Sequence, residues 1–395
     1  MKSYDVIIAG AGPIGSYLAY RLASRGYKVA VFERKERVGE AVCCTGIIGK
    51  ECVEHFPVPG DVILNEARSA SFFSPSGKLL MMAKEEVQAY VIRRPDLDKA
   101  LANMAADDGA EYFSGCNVRD IRLEDDRITA RIQRRQGVED FQGRVIVIAS
   151  GFGSDLTRKL GLGYIADFAT GAQSEVATEG LDDVEVYLGQ EFAPGFFAWL
   201  VPTWKGKALA GLLTRRNPGS YLRGFISEMS SRGRITSAAE EMTYGGIPLR
   251  PLPKTYGERV IVVGDAAGQV KPTTGGGIYY GLLCAEIAAE VLSRALPTDE
   301  LSARQLAPYE KEWKKKLSRE LQIGYRARKL YEKLNDRQID RAFDLVASNH
   351  IHETILQTEE FSFDWHADLI LRLLKHRSIA TAVPALIKNW HLWKV

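Results

Sequence analysis

Cysteine and histidine are both scarce in this chain, at five and six among 395 residues. Cys43, Cys44 and Cys52 lack the paired C-x-x-C spacing of a zinc or iron–sulfur site, so no metal centre is expected. So few cysteines, odd in number, suit reduced thiols rather than a disulfide framework. An excess of one charge is missing too. Lys+Arg total 52 against 50 Asp+Glu, which leaves no electrostatic footprint for a nucleic acid. No apolar run approaches the ~20 residues of a membrane-spanning helix. The short apolar stretch after Met1 reads as a strand, which argues against a signal peptide and for cytoplasmic residence. Internal repeats, low-complexity tracts and flexible linkers are absent as well. What remains is 46% apolar and 26% charged, an ordinary soluble composition, in a chain long enough for two domains sharing a large core.

Against that background residues 4–33 stand out. The apolar run Tyr4-Asp5-Val6-Ile7-Ile8-Ala9 leads into Gly10-Ala11-Gly12-Pro13-Ile14-Gly15. A helix-compatible stretch follows to Arg25, Gly26 stops it, and Tyr27–Phe32 reads as a second strand ending at Glu33. The first two glycines turn the chain tightly and let backbone N–H groups approach a pyrophosphate at the positive end of the helix. Gly15 lets that helix pack on the first strand. Glu33 is placed to accept the ribose hydroxyls of an adenosine.

A distant segment points to FAD instead of NAD. Arg259–Gly268 is another strand running into a small-residue turn with Asp265. Pro272-Thr273-Thr274-Gly275-Gly276-Gly277-Ile278 and a helix-compatible run over Tyr279–Leu292 follow. A carboxylate at the end of a strand can accept from a polyol such as ribityl. Glycines opening a helix offer N–H donors to a flavin's electron-rich carbonyl edge. An extended FAD needs both ends held, and these two segments supply them.

With these motifs in place, the chain resembles the geranylgeranyl reductase family of FAD enzymes, within the larger group that includes the aromatic-ring flavin hydroxylases. The likeness runs from Ser3 to about residue 315. Ala19 and Gly26 continue the first motif at the expected spacings. Cys43-Cys44-Thr45-Gly46 falls where the family has a cysteine-containing loop near the flavin. Tyr90–Asp98 resembles its R-x-x-(F/L)-D segment, with Arg94 at the arginine that contacts FAD. Val118 falls where a backbone group meets the adenine. Phe197-Ala198-Trp199-Leu200-Val201-Pro202 resembles the Y-x-W-x-F-P strand that lines the lipid pocket.

The resemblance implies FAD contacts at Gly10, Gly12, Ile14, Gly15, Glu33 and Arg34 for the nucleotide half. Cys44, Thr45, Ile47, Arg94, Val118, Asp265, Gly276, Gly277 and Ile278 complete the set. It implies substrate contacts at Phe197, Trp199 and Pro202. Cys44 is the catalytic candidate, as a proton donor or redox-sensitive thiol; a small packing residue is the other reading.

Several departures carry information. Ser150 stands where hydroxylases of this group have an Asp used by both FAD and NADPH, which weakens the case for direct NADPH use. Gly268 replaces their usual His and Tyr279 their Asn. Lys271 stands before the proline where relatives often have Asp, so the charge near the flavin differs. Phe197 lacks the hydroxyl of the family's Tyr, and Val201 replaces its second Phe. The W-x-W-x-I-P strand of flavin halogenases is not reproduced, since its first Trp is missing.

The expected fold is α/β: a Rossmann-type FAD-binding domain interleaved with a β-sheet substrate domain, plus a helical C-terminal region. Residues 1–60, 95–160 and 255–298 would form the first domain, 61–94 and 161–254 the second, and 299–395 the third. Short strands are expected at Ser69–Phe73, Lys78–Met82, Val87–Ile92, Glu111–Phe113, Val118–Leu123, Ile128–Arg134, Val184–Leu188, Phe196–Pro202 and Ala208–Leu213. A helix is expected over Asp96–Asp108. The terminus is apolar, with Leu369, Ile370, Leu371, Leu373 and Leu374 and a second cluster around Trp390 and Trp393 beside lysines. Two readings stand open there: an amphipathic stretch at a membrane's inner face, or a helix docked on the protein's own core.

The leading function is an FAD-dependent reductase that saturates C=C bonds of a polyprenyl lipid by hydride transfer from reduced flavin. Electrons would come from an external donor such as a low-potential protein or reduced carrier, because no second dinucleotide fingerprint appears. The alternatives are an FAD monooxygenase on an aromatic or quinone-like substrate and an electron-transfer flavoprotein.

Overall fold

A computed structural model describes residues 2–239, 241–357 and 362–375. Its organising element is the strand Ser3–Ala9, which is flanked on both sides by parallel neighbours. Val29–Phe32 and then Glu111–Phe113 lie on one side, and Gly137–Ile148 and then Val260–Val262 on the other. Val6–Ala9, Val29–Phe32 and Val145–Ile148 are apolar runs, and Ile7, Ile8, Val31, Ile146 and Val147 are fully buried, as a sheet covered on both faces requires. Gly137–Ile148 does double duty. Its first half pairs antiparallel with Ile128–Arg134, which in turn pairs with Asn117–Leu123.

The helix Pro13–Ala23 lies between helices Arg94–Asp107 and Ile278–Ala295 on this sheet. The ladder of the second strand begins at Val29, not Tyr27. Gly26 at φ +83° and the bond from the Tyr27 N–H to Leu22 O keep that corner as a turn. Because the chain leaves Ser3–Ala9 to one side and later returns on the other, the carboxyl ends of the central strands are the switch point at which doubly wound sheets offer a ligand crevice.

A second eight-stranded sheet is almost wholly antiparallel. It runs Ser237–Ala238, Phe168–Ala177, Lys207–Thr214, Phe197–Trp204, Val184–Leu188, Ser69–Phe73, Leu79–Ala83, with Thr243–Pro248 also on Phe168–Ala177. Helix Pro218–Ser231 covers one face through Leu222, Phe225 and Met229. A small sheet joins Ile47–Gly49, Ala89–Ile92 and Ile63–Ala67, so a backbone ladder runs across residue 60.

The C-terminal region is helical, beginning with Ala303–Tyr331, which packs on Ile278–Ala295. Asp336–Ser348 follows behind an Asn335/Gln338 capping box. Ala367–Lys375 docks on Ala303–Tyr331, where Leu374 and Ala367 join Ile323, Ile351 and Ile355 in a small apolar cluster. This part of the terminus therefore covers the protein's own core; the Trp390–Trp393 cluster lies outside the described residues. Among the described residues no helix is long and apolar enough to cross a membrane.

Candidate functional site

Three glycines at the end of the first strand are needed for three reasons. Gly10 has φ +113°, and a Cβ there would stand 2.4 Å from the Ala149 carbonyl oxygen. A Cβ on Gly15 would meet the Gly10 carbonyl oxygen at 2.1 Å. Gly12 differs, because nothing lies within 4 Å of its Cβ position. The fold itself demands the first two; at Gly12 the open space is what matters. Gly12 is also the N-cap of Pro13–Ala23 and offers no side-chain cap, so the helix's first N–H groups face the same space.

Glu33 reaches back to this loop. Its Oε2 accepts from the Ala11 N–H at 2.9 Å and its Oε1 from the Lys35 N–H at 3.0 Å. Each oxygen keeps a lone pair for a ribose hydroxyl. Ser150 follows Ala149, and its Oγ is buried with no hydrogen-bond partner among the described residues. A buried orphan hydroxyl beside an open glycine cradle is what a bound dinucleotide would satisfy. Arg34 is exposed, and Val118 is buried in the strand Asn117–Leu123.

The second half-site meets the first through Ile14. Cβ atoms on Gly264 and Gly281 would stand 3.2 and 2.6 Å from its side chain, so the helices Pro13–Ala23 and Ile278–Ala295 close on each other there. Asp265 follows the strand Val260–Val262, its Oδ1 2.6 Å from the Cβ position of Gly277. Burial raises its carboxyl above the ordinary carboxylate range, with Arg94 opposing. Gly277 caps Ile278–Ala295 without a side-chain bond, leaving those N–H groups free as well. Arg94 forms a fork to Asp98 over 2.9–3.0 Å, with only 12% and 4% of the side chains exposed. Burial works against its charge, but Asp98 outweighs this, and Cys44 lies against it too. Arg94, Cys44, Asp265 and Gly277 thus come together from four stretches of chain. The donors and acceptors present fit an extended dinucleotide carrying a flavin.

The substrate candidates depend on the pleat of the antiparallel sheet. Val186, Trp199, Gly211, Gln173 and Thr243 are directly opposite one another across five strands and share one face. The Trp199 indole lies on Gly211, and a Cβ there would clash at 2.4 Å. Phe197 stands beside it, ring centroids 5.8 Å apart. This face looks toward the cofactor crevice: Gly245 abuts Cys43, Gln173 donates to Cys44 O at 3.4 Å, and Gly275 packs on Ile247 and Leu213. The Trp199 Nε1 is buried with no partner among the described residues.

Pro202 is a correction. It falls in step with Ala198 and Leu200, on the opposite face, where Tyr187 packs edge-on against Phe225 of the covering helix. It cannot line the same wall as Trp199. The two cysteines also separate. Cys44 sits on the Arg94 side, whereas the sulfur of Cys43 is 3.4 Å from the Cβ position of Gly245 on the sheet. Burial pushes the Cys43 thiol up to about 11, so it stays protonated. Ile47 and Thr45 lie where this loop enters the small sheet, as Gly46 (φ +74°) turns under Ile92.

Lys271 and Tyr279 stand out in the sequence as departures, but the partners they meet carry no signal there. Lys271 pairs with Asp364 at 2.7 Å, and Glu51 accepts from Ser362, Trp365 and Tyr279. Residues 362–367 therefore lie against the glycine-rich loop that precedes Ile278–Ala295.

Residues 8–45 match the family model described as an NAD(P)-binding Rossmann-like domain. A digeranylgeranylglycerophospholipid reductase 2 of Methanothermobacter thermautotrophicus is 33% identical over 353 residues, 85% of this chain and 90% of the relative. A digeranylgeranylglycerophospholipid reductase of Methanocaldococcus jannaschii is 34% identical over 352 residues, 85% of this chain and 89% of its own. Among solved structures, a geranylgeranyl bacteriochlorophyll reductase-like protein from Thermoplasma acidophilum superposes with a TM-score of 0.85 at 25% identity, covering 99% of this chain and 100% of that one. Since the likeness takes in both halves of the nucleotide crevice and the sheet facing it, the chain belongs to the digeranylgeranylglycerophospholipid reductase family.

Proposed function

We propose that this chain is an FAD-dependent reductase that saturates C=C bonds in the prenyl chains of a geranylgeranyl-type lipid. One observation carries the reading. The sheet face bearing Phe197 and Trp199 abuts the Cys43–Gly46 loop and the Gly275–Gly277 loop, so a greasy chain against those two rings would lie along the flavin's seat. Bound FAD, once reduced by the external donor, would supply the hydride. The chain's own residues hold an unactivated alkene, exclude water and keep a proton at hand.

Gly12, Glu33 and the open end of Pro13–Ala23 would hold the nucleotide half, with the Ser150 hydroxyl beside them. Asp265, Arg94 and the N–H groups around Gly277 would hold the other half. Trp199 and Phe197 would position the alkene. The Cys43 thiol, protonated and facing the sheet, is better placed to give a proton to substrate than Cys44, which faces Arg94. The electron donor is a separate low-potential protein or reduced carrier.

The test uses FAD-loaded protein, a chemical reductant and a geranylgeranyl lipid under argon, read by product mass. Gain of about two mass units per double bond is expected, and a gain of about sixteen would make the protein a monooxygenase.

A further inference from the structure

Lys271 is a buried cation at the back of the glycine-rich loop. Its Nζ lies 2.7 Å from Asp364 Oδ1, with 5% and 1% of the two side chains exposed. It also donates to Phe363 O at 3.2 Å and sits over the Phe363 ring. The loop wraps round it: the Lys271 N–H donates to Gly276 O, and its carbonyl accepts from the Gly275 N–H. The side chain then doubles back, so that a Cβ on Gly276 would stand 2.7 Å from Lys271 Cε and 3.4 Å from Nζ. At the other pole, Asp364 Oδ2 is buried without a partner among the described residues and lies 1.9 Å from the Cβ position of Gly49.

The pair therefore has a direction. Its positive end touches the loop that carries Gly276 and Gly277, and its negative end touches the strand that follows the cysteine loop. Residues 362–367 are locked in place around it. His366 shares a hydrogen bond with Thr273 at 2.7 Å, Tyr280 donates to Asp364 O at 2.9 Å, and Glu320 accepts from the His366 and Ala367 N–H groups. A buried ion pair is by itself a poor source of stability, because desolvation cancels much of the attraction. An oriented one packed behind Gly276, in a loop that would seat a redox ring, has an electrostatic use.

We propose that Lys271 is a positioning residue for the redox reaction, its ammonium held behind Gly276 by Asp364 so that it favours the negative charge the flavin gains on reduction. This rests on the reading of Gly276 and Gly277 as the flavin seat. It makes the C-terminal segment, through Asp364, part of the redox site.

The test is the midpoint potential of the bound flavin in purified holoprotein, by anaerobic dye-coupled titration. Lys271→Met should shift the equilibrium at least tenfold toward the oxidised form, about 30 mV downward for a two-electron couple. Lys271→Arg, which keeps the charge, should stay within about threefold of the parent. Asp364→Asn, which strips the counter-charge, should shift the potential the opposite way from Lys271→Met. A purely structural clamp predicts otherwise: Lys271→Met and Asp364→Asn would move together, or neither would move with flavin retained, and either result overturns the proposal. Should a single variant fail to hold flavin, the uncharged pair Lys271→Met/Asp364→Leu decides: a fall in potential supports the proposal and an unchanged one refutes it. A parent protein that binds no FAD would defeat the underlying reading instead.

Discussion

Gly211→Ala tests the proposed lipid wall apart from the proposed cofactor contacts. Gly211 sits in an ordinary extended strand, so alanine adds no backbone strain, only one methyl group. That methyl would stand 2.4 Å from Trp199 Cζ2 and 2.7 Å from Nε1, where ordinary contact begins near 3.4 Å. The indole must therefore move by roughly 1 Å. Overpacking of this kind costs about 1–3 kcal/mol of stability. A 1 Å misplacement of a positioning group can cost on the order of 10²-fold in rate. The proposed cofactor contacts at Gly12, Glu33 and Asp265 are untouched. Turnover of a geranylgeranyl lipid under argon should fall at least tenfold, while the flavin released by acid precipitation stays at the parent's level. Trp199→Ala should lower turnover similarly, and the double variant should be no worse than the worse single one, since both perturb one contact. If Gly211→Ala keeps its kcat/KM within about threefold, or loses flavin and turnover together, the indole is a packing residue and the wall does not exist.

The three glycines of the nucleotide loop should separate cleanly. Gly15→Ala forces a methyl against the Gly10 carbonyl and should lower both thermal stability and FAD content, whereas Gly12→Ala should leave the apoprotein's melting temperature unchanged and cut FAD affinity alone. Glu33→Ala should weaken FAD retention by about 1.5–3 kcal/mol, the scale of a charged hydrogen bond, measured by equilibrium dialysis; retention at parental strength would remove Glu33 from the site. Burial and the neighbouring Lys271 pull the His366 imidazole down to about 3, so the native state refuses a proton that the unfolded chain accepts. Stability should therefore fall as pH drops below about 6.5, by on the order of 1 kcal/mol per pH unit, and His366→Gln should flatten that slope in denaturant titrations.

Much of the nucleotide half was legible because its causes are local. A φ that only glycine adopts, the apolar run Val6–Ala9 and a helix opening at Gly12 each follow from a few adjacent side chains. Ser69–Phe73, Glu111–Phe113, Ile128–Arg134 and Val184–Leu188 have the bounds that their composition suggests. The α/β class and the helical C-terminal region follow from the same short-range patterns.

What the sequence left open turns on which distant segments meet. Phe197, Trp199 and Pro202 lie on one strand, but the two-residue pleat puts Pro202 on the opposite face, and only the ladder with Lys207–Thr214 reveals which face meets the crevice. Cys43 and Cys44 are neighbours in the chain, yet one points at the sheet and the other at Arg94. Glu33 was expected to meet a ribose; that it also braces the glycine loop through the Ala11 N–H needs both strands in place. In the sequence Lys271 reads only as a changed charge near the flavin; its partner Asp364 comes from the far end of the chain. Local conformation is written in adjacent residues, whereas the partner of a buried charge is decided only when the whole chain has closed around it.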